Sequence, residues 1–155
     1  MPRRFNVGFT LIELVAVLAI VLLIGAMILP RMSHLIVSYT LDSAARRYLI
    51  DAQAIRQRAV VTGRVLRIEY ISSVPALIRV LDGTTELTEF SRTLPQGLTL
   101  EPLTHSTKWV QFDPRGEATW ESGAPTYTII IRASNNQRME LIFHRAGRIM
   151  LLVVP

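Results

Sequence analysis

Residues 9–29 form an apolar run of 21 residues whose only charge is Glu13, and that run limits the folds open to the chain more than anything else in it. At 1.5 Å per residue, a helix of this length extends roughly 30 Å, enough to cross the hydrocarbon core of a bilayer. Arg3 and Arg4 precede the run and favour a cytoplasmic N-terminus, while Arg31 just beyond it reduces the asymmetry. The run is too long for the apolar part of an ordinary secretory signal, and no small-residue cleavage site follows it. A carboxylate inside such a helix costs about 3 kcal/mol unless it is neutralised or paired. A cut between Gly8 and Phe9 would place a new ammonium one helical turn before Glu13, or within reach of Glu13 on a neighbouring helix.

The remainder of the 155 residues suffices for one domain with a real core, not two. With no cysteine, the chain lacks disulfides, thiolate metal ligands and a thiol nucleophile. Its net charge of +5 includes Arg3 and Arg4; without them, 15 basic residues face 12 acidic ones, a charge of +3. So small an excess is weak support for nucleic-acid binding.

Beyond the apolar run, Leu41, Ala45, Tyr48, Ala52, Ile55 and Ala59 recur at alternating steps of four and three, one face of a helix over residues 31–62. Asp42, Arg46, Arg47, Asp51, Arg56 and Arg58 fall on its other faces, and Gly63 is placed to end it. From there the period becomes two, with Leu66, Ile68 and Tyr70 alternating against Val65, Arg67 and Glu69. Further strands are expected at 76–81, 87–92, 98–101, 108–112, 126–132, 138–144 and 149–154. Asp82-Gly83, Pro95-Gln96-Gly97, Asp113-Pro114-Arg115-Gly116, Ser134-Asn135-Asn136 and Ala146-Gly147 punctuate them. The pattern predicts an α+β chain, a long N-terminal helix packed on an antiparallel β-sheet domain.

The run Gly8-Phe9-Thr10-Leu11-Ile12-Glu13-Leu14, after a basic leader and before a long apolar stretch, resembles the prepilin peptidase signature of type IV pilins and type II secretion pseudopilins. That resemblance implies cleavage after Gly8, N-methylation of Phe9, and a role for Glu13 in filament assembly. Pro30 matches a position where major pilins often carry a helix-kinking proline. Phe112-Asp113-Pro114-Arg115-Gly116 and Gly147-Arg148 resemble, in order, turns of the GspH and FimT branch of the pseudopilins. The implied organisation is a cleaved leader over 1–8, a transmembrane and filament-core helix over 9–30, its amphipathic continuation over 31–62, and a globular β-rich domain over 63–155.

No motif points to an enzyme. His34, His105 and His144 lack partners at metal-ligand spacing, and the serines lack a nucleophile elbow. Glu69 and Glu117 are a conceivable carboxylate pair that nothing in the sequence selects. No cofactor is expected. The resemblance implies a minor pseudopilin of GspH type, anchored once in the inner membrane with its domain outside the cytoplasm, then moved into a filament. Its partners would be other pilins or pseudopilins, prepilin peptidase, the inner-membrane assembly platform and membrane lipid. The alternative is a FimT-like minor pilin that takes up DNA, with Arg145 and Arg148 touching phosphate. The second arginine of that branch's glycine-arginine-x-arginine element is replaced here by Met150.

Overall fold

The computed structural model describes residues 10–102, 108–121 and 124–154, and among these the side chains of all but 27–35 and 102. The chain divides into two compact units, Met1–Ile36 and Val37–Pro155. The expected leader over 1–8 lies outside the described residues.

Helix α1 covers Leu11–Thr62, an element assigned across both units. It continues through Pro30, the position that matches a helix-kinking proline of major pilins, into the continuation expected over 31–62; a proline removes one backbone donor, a loss that a helix of 52 residues can carry. In the first unit the side chains from Leu11 to Ile24 stand largely exposed, Leu11 at 81%. Among the described residues, no helical stretch is long and apolar enough to cross a membrane. The span expected over 9–30 includes residue 9 and four side chains, 27–30, beyond that description.

In the second unit, Leu41, Ala45, Tyr48, Ala52, Ile55 and Ala59 are all buried, as their spacing requires. The helix ends where a glycine is needed: Gly63 has φ 66°, and the Arg64 N–H donates to the Ala59 carbonyl at 3.2 Å, the wide bond of a Schellman cap.

Among the described residues, ten strands follow and separate into two antiparallel sheets. The first contains β1 (Leu66–Ile71), β2 (Leu77–Asp82), β3 (Thr85–Glu86), β4 (Arg92–Thr93), β6 (Trp109–Phe112) and β7 (Ala118–Thr119), in the order β3-β2-β1-β6-β7 with β4 also on β2. The second contains β5 (Leu98–Pro102), β8 (Thr126–Ala133), β9 (Arg138–His144) and β10 (Ile149–Val154), in the order β10-β9-β8-β5. One core joins the helical stripe to both sheets, through Leu66, Ile68 and Val110 of the first and Leu100, Ile131 and Leu141 of the second. At its centre Tyr127 is fully buried, with ring centroids 6.3 Å from Tyr70, 5.9 Å from Trp120 and 6.2 Å from Phe143.

Of the strand expected over 87–92, only Arg92 pairs, as the first residue of β4, and residues 88–90 form a turn. Leu87 and Phe90 both pack on the core from positions three apart, a helical rather than an extended spacing. The Phe90 and Ser91 N–H groups both donate to the Leu87 carbonyl, while Ser91 Oγ accepts the Val80 N–H at 3.2 Å, the group that a further strand would have used.

Candidate functional site

The first described residues of α1 form a reciprocal cap. Thr10 Oγ1 accepts the Glu13 N–H at 3.3 Å, and the Glu13 carboxylate accepts the Thr10 N–H at 3.1 Å and the Thr10 hydroxyl at 3.2 Å. This is a capping box, in which two unsatisfied donors of a helix N-terminus are paired by one Thr-x-x-Glu motif. Glu13 also lies where the positive end of the helix dipole favours an anion. The carboxylate that looked unpartnered in the sequence therefore has local partners, and Thr10-x-x-Glu13 was the signal for them. Gly8 and Phe9, the expected cleavage and methylation residues, lie outside the described residues.

A second constellation occupies the globular unit. The turns at Gly116 and Gly147, far apart in sequence, close on the same helical residue. Arg56 Nε donates to the Gly116 carbonyl at 2.9 Å, and the Ala118 N–H donates to the Arg145 carbonyl at 2.9 Å, joining one turn to the other. Both glycines have positive φ, 79° and 78°, and a Cβ on Gly147 would meet the Gly116 carbonyl oxygen at 1.9 Å. Only glycine allows that approach. Beside this junction runs an open groove of ≈ 590 Å³ lined by Gln53, Arg56, Gln57, Val60, Arg115, Gly147, Arg148 and Ile149. Among the described residues, none of Arg56, Arg115 and Arg148 has a carboxylate partner.

Arg145 and Arg148, paired in the sequence reading, are used differently. Arg148 lines the groove, whereas the Arg145 guanidinium lies 5.2 Å from the Trp120 ring centroid and donates to the Ala124 carbonyl at 3.3 Å. Sequence reasoning missed Arg56 and Arg115 as groove residues, having put Arg56 among the charges off the apolar stripe of the helix and Arg115 in a turn. Asp51 is likewise turned inward, its side chain 13% exposed and its Oδ2 3.4 Å from Arg92 and 3.8 Å from Arg47. Burial, with Asp51 adding to it and Arg92 opposing, pushes the neighbouring Tyr48 hydroxyl up to about 12.

The conceivable carboxylate pair does not meet. Glu69 stands opposite Trp109 and is ion-paired with Arg79 at 2.7 Å; Glu117 sits beside Asp113, at the other end of β6. That separation is roughly 13 Å along the strand. His144 ends β9, and the described residues contain no group of three potential metal ligands.

No protein-family profile and no curated protein sequence matches the chain. Solved structures do. The type IV minor pilin FimU of Pseudomonas aeruginosa strain PAO1, in two crystal forms, matches with TM-scores of 0.54 and 0.55 at 20% and 21% identity, over 74% and 72% of this chain and 88% and 92% of FimU. The minor pseudopilin EpsH from the Type 2 Secretion System of Vibrio cholerae matches with a TM-score of 0.54 at 15% identity, over 73% of this chain and 96% of EpsH. At such identities the likeness is one of fold, and the fold of this chain is α+β and pilin-like.

Proposed function

We propose that this chain is a minor structural subunit of a type II secretion pseudopilus, made as a precursor, cut between Gly8 and Phe9 by prepilin peptidase, methylated on Phe9 and inserted once in the inner membrane. The observation that carries this reading is the combination of a pilin-like domain with a helix whose side chains from Leu11 to Ile24 are apolar and largely exposed, interrupted only by Glu13. So much apolar surface on one helix calls for lipid or for neighbouring helices. Moving from the first environment to the second is what assembly would do, with the assembly platform and the other pseudopilins as partners.

Glu13 then has two successive tasks. Before assembly it caps its own helix through Thr10. In the filament its carboxylate pairs with the ammonium that cleavage creates on Phe9, in its own chain or in a neighbour. The test is to follow precursor size with and without prepilin peptidase, and filament incorporation of Glu13→Ala. A peptidase-dependent loss of the leader and failed incorporation of the variant are expected. An unshifted band in both strains, or normal incorporation and secretion with alanine, would contradict the reading.

The DNA-uptake alternative asks for Arg145 and Arg148 to act on one phosphate backbone. The stacking of Arg145 on Trp120, away from the groove that Arg148 lines, favours secretion. Titration of the full chain with duplex DNA separates the two, because phosphate contacts weaken steeply with salt. Binding at low ionic strength that disappears in Arg148→Ala would restore the alternative.

A further inference from the structure

Three of the free strand edges in the globular unit are blunted. The strands β3 and β4, on the outside of β2, have two residues each, as does β7 beyond β6. At the outer edge of the second sheet β5 carries Glu101, paired with Arg132, and its Leu100 carbonyl accepts the Ser72 hydroxyl at 3.3 Å. Short length, charge and occupied backbone groups all discourage pairing with another chain. The remaining edge is different.

Strand β10 reads Ile149-Met150-Leu151-Leu152-Val153-Val154, six residues with no charge and no proline, paired among the described residues only with β9. The His144 N–H donates to the Arg148 carbonyl at 2.9 Å, which sets the alternation of this ladder. Ile149, Leu151 and Val153 therefore turn their N–H and C=O groups away from β9. Met150, Leu152 and Val153 are exposed at 37%, 48% and 59%. An open edge of this kind recognises one chemistry above others, an extended peptide backbone with apolar side chains.

The charge at the edge narrows the occupant further. Ile149, the first residue of β10, also lines the groove that holds Arg56, Arg115 and Arg148. A strand laid along β10 would run into these three cations at that end. A carboxylate there would gain charge-assisted hydrogen bonds from guanidinium groups that lack acidic partners among the described residues.

We propose that the free edge of β10 accepts an extended strand from a neighbouring pilin-like subunit, whose acidic residue seats among Arg56, Arg115 and Arg148. This rests on the filament-subunit reading and adds to it the face by which the domain, as distinct from the helix, is joined to a neighbour. Backbone pairing supplies affinity along the edge, and the arginine groove sets direction and register.

Since the chain has no cysteine, a single Leu152→Cys carrying a benzophenone maleimide reports what lies along β10 in the assembling, full-length protein. The expected adduct is an extended segment of another filament subunit with an acidic residue towards the Arg148 end, mapped by mass spectrometry. Adding Val153→Pro removes an outward N–H that β9 does not use and should lower the adduct at least tenfold with the melting temperature unchanged. Arg115→Glu and Arg148→Glu should lower it comparably. An adduct on a helix, or one insensitive to all three changes, overturns the proposal, as does loss of DNA binding in Arg148→Glu with the adduct intact. A chain that enters filaments normally but gives no such adduct sinks the edge alone, whereas one that never enters filaments sinks the subunit reading with it.

Discussion

Gly147 shows how much a single atom decides in this chain. Its φ of 78° is one that L side chains rarely adopt, and an added methyl group would occupy the space of the Gly116 oxygen, itself backbone and unable to yield as a side chain would. Gly147→Ala should cost about 2 kcal/mol or more, read as a lower urea midpoint. Because the same residue lines the groove, the variant should also disturb Arg56, whose Nε would lie 2.5 Å from the new carbon. Thr10 is a milder case. Thr10→Ala removes the Oγ1 that accepts the Glu13 N–H and should lower helix stability by about 1 kcal/mol, measurable as fraying in amide exchange over residues 11–14.

At the scale of the element, the half of α1 in the globular unit is specified by small residues as much as by large ones. Ala45 and Ala59 are fully buried, so the sheets pack close to the helix axis there, and a longer side chain has nowhere to go. Ala45→Leu should destabilise by roughly 1–3 kcal/mol through overpacking, whereas Val61→Ala, at a residue 78% exposed, should stay within about 0.5 kcal/mol; chemical denaturation of both separates the effects. Strand β8 is the counterpart on the sheet side. Six of its eight residues are buried, including Ile129, Ile130 and Ile131 in succession, because it lies between β9 and β5 and is covered on both faces.

Over the globular unit as a whole, the two sheets meet through phenols. Burial raises the hydroxyls of Tyr70 and Tyr127 well above 10.0 and that of Tyr48 to about 12. A raised folded-state value means that the unfolded chain ionises first. This stabilisation is complete below pH 10 and is lost as pH rises through the folded values. The melting temperature should therefore hold steady from pH 8 to near 10 and then fall. In Tyr48→Phe the fall should be shallower between pH 10 and 12; an identical slope would refute the assignment.

Much of this was readable in advance, for identifiable reasons. The helical stripe from Leu41 to Ala59, the stop at Gly63 and the seven longer strands of alternating or continuous apolar character are local patterns, written in periodicity that the backbone enforces residue by residue. The apolar run with its single acid is equally plain, and Thr10-x-x-Glu13 is a local motif too, of which the sequence reading used only the acid. What no local pattern contained was the division of ten strands into two sheets, the turn at 88–90 and the two-residue strands β3, β4 and β7, each held by partners distant in sequence. The arginine groove is of the same kind, since Arg56, Arg115 and Arg148 converge only after Gly116 and Gly147 close on one turn of the helix. Periodicity tells a segment which of its faces to bury. Which other segment covers that face, and which side chains are left together at the edge, depends on packing the whole unit at once.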